Sequence, residues 1–146
     1  MWARALGIVG VALAAFAGAP VARAADLVVA PGTAIQTLTA AIARAKPGDR
    51  IIVQAGRYAE PPIVIDVPRV TVEGRGWPEF SGSGEHAVVI VAAEGVTVRG
   101  IVATNTGYSD LDDRAGILVR DTRDCLVEGN RLRDVTFGIY LRRSTG

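Results

Sequence analysis

The sequence predicts an all-β parallel solenoid (β-helix) with a short capping helix at its N-terminal end, and two repetitions predict it. Gly116-Ile117-Leu118-Val119 returns as Gly138-Ile139-Tyr140-Leu141 22 residues later, and each copy runs into a polar turn. Val70-Thr71-Val72-Glu73-Gly74 returns as Val96-Thr97-Val98-Arg99-Gly100 after 26 residues, and as Cys125-Leu126-Val127-Glu128-Gly129 after a further 29. Short β-branched strands recurring at such intervals, with Gly or Asn at the corners, cannot bury an apolar face singly. They must stack, one coil per repeat. Gly116, Ile117, Asn130, Gly138 and Ile139 mark the expected repeat positions.

Composition agrees. The chain has 146 residues, 49% hydrophobic but only 5% aromatic, which points to one domain with a core of small branched side chains. Its net charge of +1 gives no electrostatic case for nucleic acid or an anionic membrane. Residues 1–24 read as a Sec-type signal peptide: Arg4, an apolar run from Ala5 to Gly18, Pro20, then Ala22-Arg23-Ala24 as the cleavage site before Ala25. Loss of Arg4 and Arg23 takes the basic count from 16 to 14 against 15 acidic residues, a net charge of −1. The expected destination is the periplasm, with no membrane span after cleavage. Cys125 is the only cysteine, so no internal disulfide holds the fold.

Taken in order, Asp26 to Ala30 is a strand ended by Pro31-Gly32. Thr33 is the expected N-cap of a helix running to about Ala45, with Ile35, Leu38 and Ile42 on one face. An amphipathic helix there closes the open end of a solenoid. Ile51-Ile52-Val53 and Ile63-Val64-Ile65 are strands, with a turn at Ala55-Gly56-Arg57 and a corner from Tyr58 to Pro62. Asp66 to Pro68 is a corner before the Val70 strand, and Gly74 to Gly84 is a loop in which Trp77-Pro78 covers an exposed edge. Val88 to Val91 precedes Ile117 to Arg120 by 29 residues, with a loop at Asn105 to Arg114 between. Roughly four coils give a column about 20 Å tall. The last coil stops at Ser144-Thr145-Gly146 directly after a strand, so residues 25–146 are expected to be the N-terminal coils of a longer β-helix domain, or to need a partner.

Several phrases resemble the NosD family of periplasmic nitrous oxide reductase maturation proteins. They are Pro31-Gly32, Ile35-Gln36 through Ala45, Pro47-Gly48-Asp49, Gly56-Arg57-Tyr58, Val96 to Gly100, Ala115-Gly116-Ile117, Glu128-Gly129-Asn130-Arg131-Leu132 and Phe137-Gly138-Ile139-Tyr140-Leu141. The resemblance covers almost all of residues 25–146 in the family's order. It implies a right-handed parallel β-helix, the usual hand for parallel crossovers, acting as a scaffold with an ABC transporter and apo nitrous oxide reductase while the copper centre is built. It also implies copper, although family members run to several hundred residues.

The residues themselves offer little chemistry. Copper sites cluster His, Cys and Met, and beyond the leader the chain has one His, one Cys and no Met. His86 reads as a loop residue and Cys125, aligned with Val96, as an inward hydrophobe. The acidic loop holding Asp110, Asp112 and Asp113 lacks the Gly and final Glu of a calcium loop and reads as solvated. Weak metal candidates are thus His86, Asp110, Asp112 and Asp113, and no cofactor is evident. The rival reading is a carbohydrate-binding or polysaccharide-modifying β-helix, for which outward Glu73, Arg99 and Glu128 form the one candidate line. A ladder of alternating charge explains the same three residues without chemistry, and no Ser/His/Asp set exists. A third reading is an exported scaffold without ligand. Asn105 and Asn130 are expected to satisfy backbone groups at turns.

Overall fold

The computed structural model describes residues 24–146. The leader expected over residues 1–24 lies, apart from Ala24, outside the described residues. From there the chain winds into a parallel β-solenoid of about five turns, one more than the repeats imply. The first sheet stacks β1 (Asp26–Val29), β2 (Arg50–Gln54), β5 (Thr71–Arg75), β8 (Thr97–Arg99) and β11 (Leu126–Glu128). The second stacks β4 (Ile63–Ile65), β7 (Val89–Val91), β10 (Ala115–Arg120) and β13 (Phe137–Arg142). The third stacks β3 (Arg57–Ala59), β6 (Glu79–Ser81), β9 (Val102–Gly107) and β12 (Arg131–Val135).

Alternation decides what faces in, because successive strand residues point to opposite sides. In the first sheet Ile51, Val72, Val98 and Val127 form one inward column. In the second, Ile63, Val89, Ile117 and Ile139 form another. Tyr58, Phe80, Ala103 and Leu132 form the third, and the Tyr58 and Phe80 rings stack at 5.1 Å. Most of these side chains are 0–5% exposed and join one core.

The third sheet is the main departure from expectation. Tyr58 to Pro62 was expected as a corner, yet Arg57–Ala59 is a strand, since Tyr58 turns inward. The Gly74 to Gly84 loop in turn contains β6, built around the buried Phe80, while β9 takes the first residues of the Asn105 to Arg114 loop. Asn105 falls within that strand and not at a turn between strands, and its left-handed φ of 55° lies where the pairing of β9 with β12 shifts register. Trp77 covers no end of the column; it lies on the outside, 40% exposed, with the Arg131 guanidinium 3.6 Å from its ring.

One register also differs. Ile117 pairs with Val89, an offset of 28 and not 29. A one-residue slip exchanges the faces of a strand, and the 28-residue offset stacks Val89 and Val91 under Ile117 and Val119 inside the core. The 29-residue offset holds for Leu126 on Thr97, and the 22-residue offset for Ile139 on Ile117.

At the N-terminal end the helix α1 (Leu38–Ile42) lies against β1, β2 and β4 with Leu38, Ala41 and Ile42 buried. It starts four residues later than expected. Thr37 is the N-cap, its hydroxyl accepting from Ala40 N–H at 3.1 Å, whereas the Thr33 hydroxyl donates to the Ala30 and Ile35 carbonyls in a turn. The remaining N-terminal donors of α1 are met by Glu60, from the corner after β3. Its carboxylate accepts from Leu38 N–H at 2.8 Å and from Thr39 N–H at 2.9 Å. At the other end the last coil carries its inward residues into the open: Ile139 is 47% and Leu141 66% exposed, although Ile117 and Val119 one layer below are at most 2% exposed.

Candidate functional site

The outward faces of the three sheets carry different chemistry. On the first sheet Glu73, Arg99 and Glu128 share one row, as expected from their phrases. Arg99 lies 2.7 Å from Glu73 and 3.9 Å from Glu128, and Arg75 3.2 Å from Glu73. Hydrogen bonds from Arg99 and then Arg75 hold Glu73 below its ordinary pKa, against desolvation. A carboxylate so held is a poor proton acceptor, and the row is an ion-pair ladder. The backbone corner beside it is tight: a Cβ on Gly74 would stand 2.2 Å from the Gly100 carbonyl oxygen. The third sheet is likewise polar outside, with Arg133 on Glu79 at 2.6 Å.

The second sheet is apolar outside. Val64, Ile90, Leu118 and Tyr140 stack in register along its outer face. Ala87, Ala115 and Leu118, with Ile90 and Tyr140 against them, form a small cluster separate from the core. The Phe137 and Tyr140 rings stack at 5.3 Å. Beside this ladder opens a cleft of about 340 Å³, floored by Ile90 and Leu118 and walled by residues 85–87 and 111–114, with Arg120 and Arg142 at its rim.

Three of the four metal candidates meet there. His86, Asp112 and Asp113 line the cleft, brought together because the loop after β9 folds back over the corner before β7. Asp110 stays outside it and accepts the Tyr108 hydroxyl. The three are not arranged as ligands. His86 Nδ1 lies 2.8 Å from the Ala87 carbonyl, to which it donates. Asp113 binds Arg142 at 3.0 Å and Asp112 lies 3.6 Å from Arg114. Among the described residues no three His, Cys, Asp or Glu side chains converge as a metal-holding group. Cys125 packs against the core with its thiol 3.4 Å from the Ala93 carbonyl, in keeping with its alignment on Val96.

The arginines are the part of the cleft that sequence reasoning passed over. Arg114 donates to the Gly84 carbonyl at 3.0 Å, yet its Nε and that of Arg142 are buried without a hydrogen-bond partner. Arg120 and Arg142 are register neighbours on one face. The signal was present: I-V-I, V-I-V, I-L-V and I-Y-L are unbroken apolar runs, which mark strands covered on both faces.

Asn130 does what its position predicts. Its amide donates to the Val98 carbonyl at 2.9 Å and its oxygen accepts from Ile101 N–H at 3.2 Å, tying one coil to the next.

Fold and faces together define a parallel β-solenoid whose first and third sheets carry ion pairs outside and whose second carries an apolar ladder beside a cleft lined by acidic residues and arginines. Comparison with protein-family models, curated proteins and solved structures finds no match for this chain. No helix among the described residues is long and apolar enough to cross a membrane.

Proposed function

We propose that this protein is a periplasmic accessory factor of the NosD type, a non-catalytic scaffold that works with an ABC transporter while the copper centre of nitrous oxide reductase is assembled. The observation that carries the reading is the ordered set of NosD-like phrases from Pro31-Gly32 to Phe137-Gly138-Ile139-Tyr140-Leu141. Each phrase serves the architecture: Ile35 to Ala45 closes the column, Glu128 to Leu132 turns a corner, and the Phe137 phrase forms the last strand of the apolar sheet. The polysaccharide reading has less behind it, because its line of Glu73, Arg99 and Glu128 is consumed in ion pairs.

The role is tested by deleting the gene in a denitrifying host and measuring the copper content of nitrous oxide reductase. Copper-deficient, inactive reductase restored by the wild-type gene is the expected result. Fully loaded reductase in the deletion strain overturns the assignment.

A further inference from the structure

The N-terminal end of the column holds a buried charge without an ion-pair partner. Asp49, in the turn between α1 and β2, is 6% exposed. One carboxylate oxygen accepts from Lys46 N–H at 2.8 Å, in the turn that follows α1, and the other from Ala25 N–H at 2.8 Å, one residue before β1. No Lys, Arg or His forms an ion pair with Asp49 among the described residues, and the Lys46 charge is the weakest of the influences on it. A buried carboxylate needs both hydrogen bonds and a facing cation to offset its desolvation. Asp49 has the bonds and lacks the cation.

The sequence independently puts a cation there. Ala22-Arg23-Ala24 is the expected leader-cleavage site. Hydrolysis of the Ala24–Ala25 bond by a leader peptidase consumes one water, leaves the new carboxylate on Ala24, and frees an α-amine on Ala25. That amine takes up a proton at neutral pH, since its ordinary pKa is about 7.7–8.0. It is the same nitrogen that already lies 2.8 Å from Asp49. A cut one residue earlier sets the charge about 3.8 Å away along the chain. A cut one residue later removes the Ala25 carbonyl, which accepts from Arg50 N–H at 2.9 Å. Ala24 and Ala25 are both exposed and β1 starts at Asp26, so the leader departs without breaking a strand.

We infer that Asp49 is a built-in receptor for the α-ammonium of Ala25, and that removal of the leader completes the N-terminal closure of the solenoid. The pair ties the start of β1, the edge strand of the first sheet, to the turn that follows the capping helix. Exchange of a neutral N–H donor for an ammonium makes the bond to the carboxylate roughly twice as strong. The precursor therefore has a looser end than the processed chain, whatever the solenoid binds.

The test exports the full chain in a bacterium, purifies it from the periplasm and determines its first residue by intact mass and N-terminal sequencing. Ala25 is the expected first residue, and any other overturns the inference. The purified chain is then unfolded in urea with its α-amine free or acetylated, in a Lys46→Arg background where no other amine competes. Acetylation lowers the folding equilibrium constant about tenfold with Asp49 in place, and less than about twofold in Asp49→Asn, the cycle that isolates the pair. An equal loss in both, or none in either, overturns the inference. If Asp49→Asn does not fold, the rate of acetylation decides: the α-amine of the folded parent reacts about tenfold more slowly than that of the urea-unfolded chain, and equal rates overturn the inference.

Discussion

Glu60 offers the sharpest test of how the column is closed. A five-residue helix has no stability of its own, so α1 depends on what it touches. Its carboxylate donor set is Leu38 N–H at 2.8 Å, Thr39 N–H at 2.9 Å and the Thr39 hydroxyl at 2.7 Å, and Glu60 is only 8% exposed. In Glu60→Ala the Leu38 amide, on a residue 0% exposed, loses its acceptor where water does not reach. Leaving a buried donor unmet costs about 1–3 kcal/mol, and lost bonds to a charged acceptor put the total near 2–4 kcal/mol. Thr39 is exposed, so water offsets part of its loss. Glu60→Gln keeps one oxygen for one amide and is expected to cost less than Ala. Urea unfolding followed by circular dichroism measures both. A Glu60→Ala variant within about 0.5 kcal/mol of the parent, or a Gln variant less stable than Ala, refutes the reasoning.

Four further outcomes follow from packing and charge. Asp49 accepts from Ala25 N–H and Lys46 N–H, both at 2.8 Å, and these bonds, Ala25 first, hold its pKa below 3.8. Its contribution to stability is present above pH 3.8 and is lost as pH falls through the lower folded value, because the unfolded state takes up the proton first; Asp49→Asn flattens that acid limb in a pH series of urea midpoints. If export exposes Ala25 as the N-terminus, a chain beginning at Ala25 is more stable than one beginning at Ala24, since the new ammonium meets that carboxylate. Gly74→Ala, forced against the Gly100 carbonyl, loses about 1–3 kcal/mol or more, readable as a lower unfolding midpoint. Ile117→Ala costs about 2–5 kcal/mol, and Ile139→Ala, 47% exposed in the same column, well under half as much; equal losses would contradict the layering.

How much the sequence revealed depends on how each sheet buries its residues. The first two sheets were legible because V-T-V, V-I-V and I-L-V supply two inward β-branched residues per strand. The third was not, since its inward column is Tyr58, Phe80, Ala103 and Leu132, four side chains of unlike size and type with no β-branched residue among them. The three-residue strands β3 and β6 each bury one side chain, too few to show a period, and β9 buries Thr104 and Thr106 beside Val102 and Ala103. The helix start was misplaced because Thr33 and Thr37 are equally good N-caps by type, and the deciding partner, Glu60, lies 22 residues beyond Leu38. The charge ladder of Glu73, Arg99 and Glu128 was readable from phrase alignment alone. The cleft was not, because His86 and Asp113 belong to loops 27 residues apart that only the fold-back after β9 unites.

The proposal that matters most is the scaffold role in copper-centre assembly. Immobilising the chain without its leader, incubating it with periplasm and detergent-solubilised membranes of a denitrifying cell, and identifying what is retained tests that directly. Nitrous oxide reductase or the ABC transporter retained on the wild-type chain, and neither on an unrelated immobilised protein, is the expected result. A folded wild-type chain that retains neither protein contradicts it.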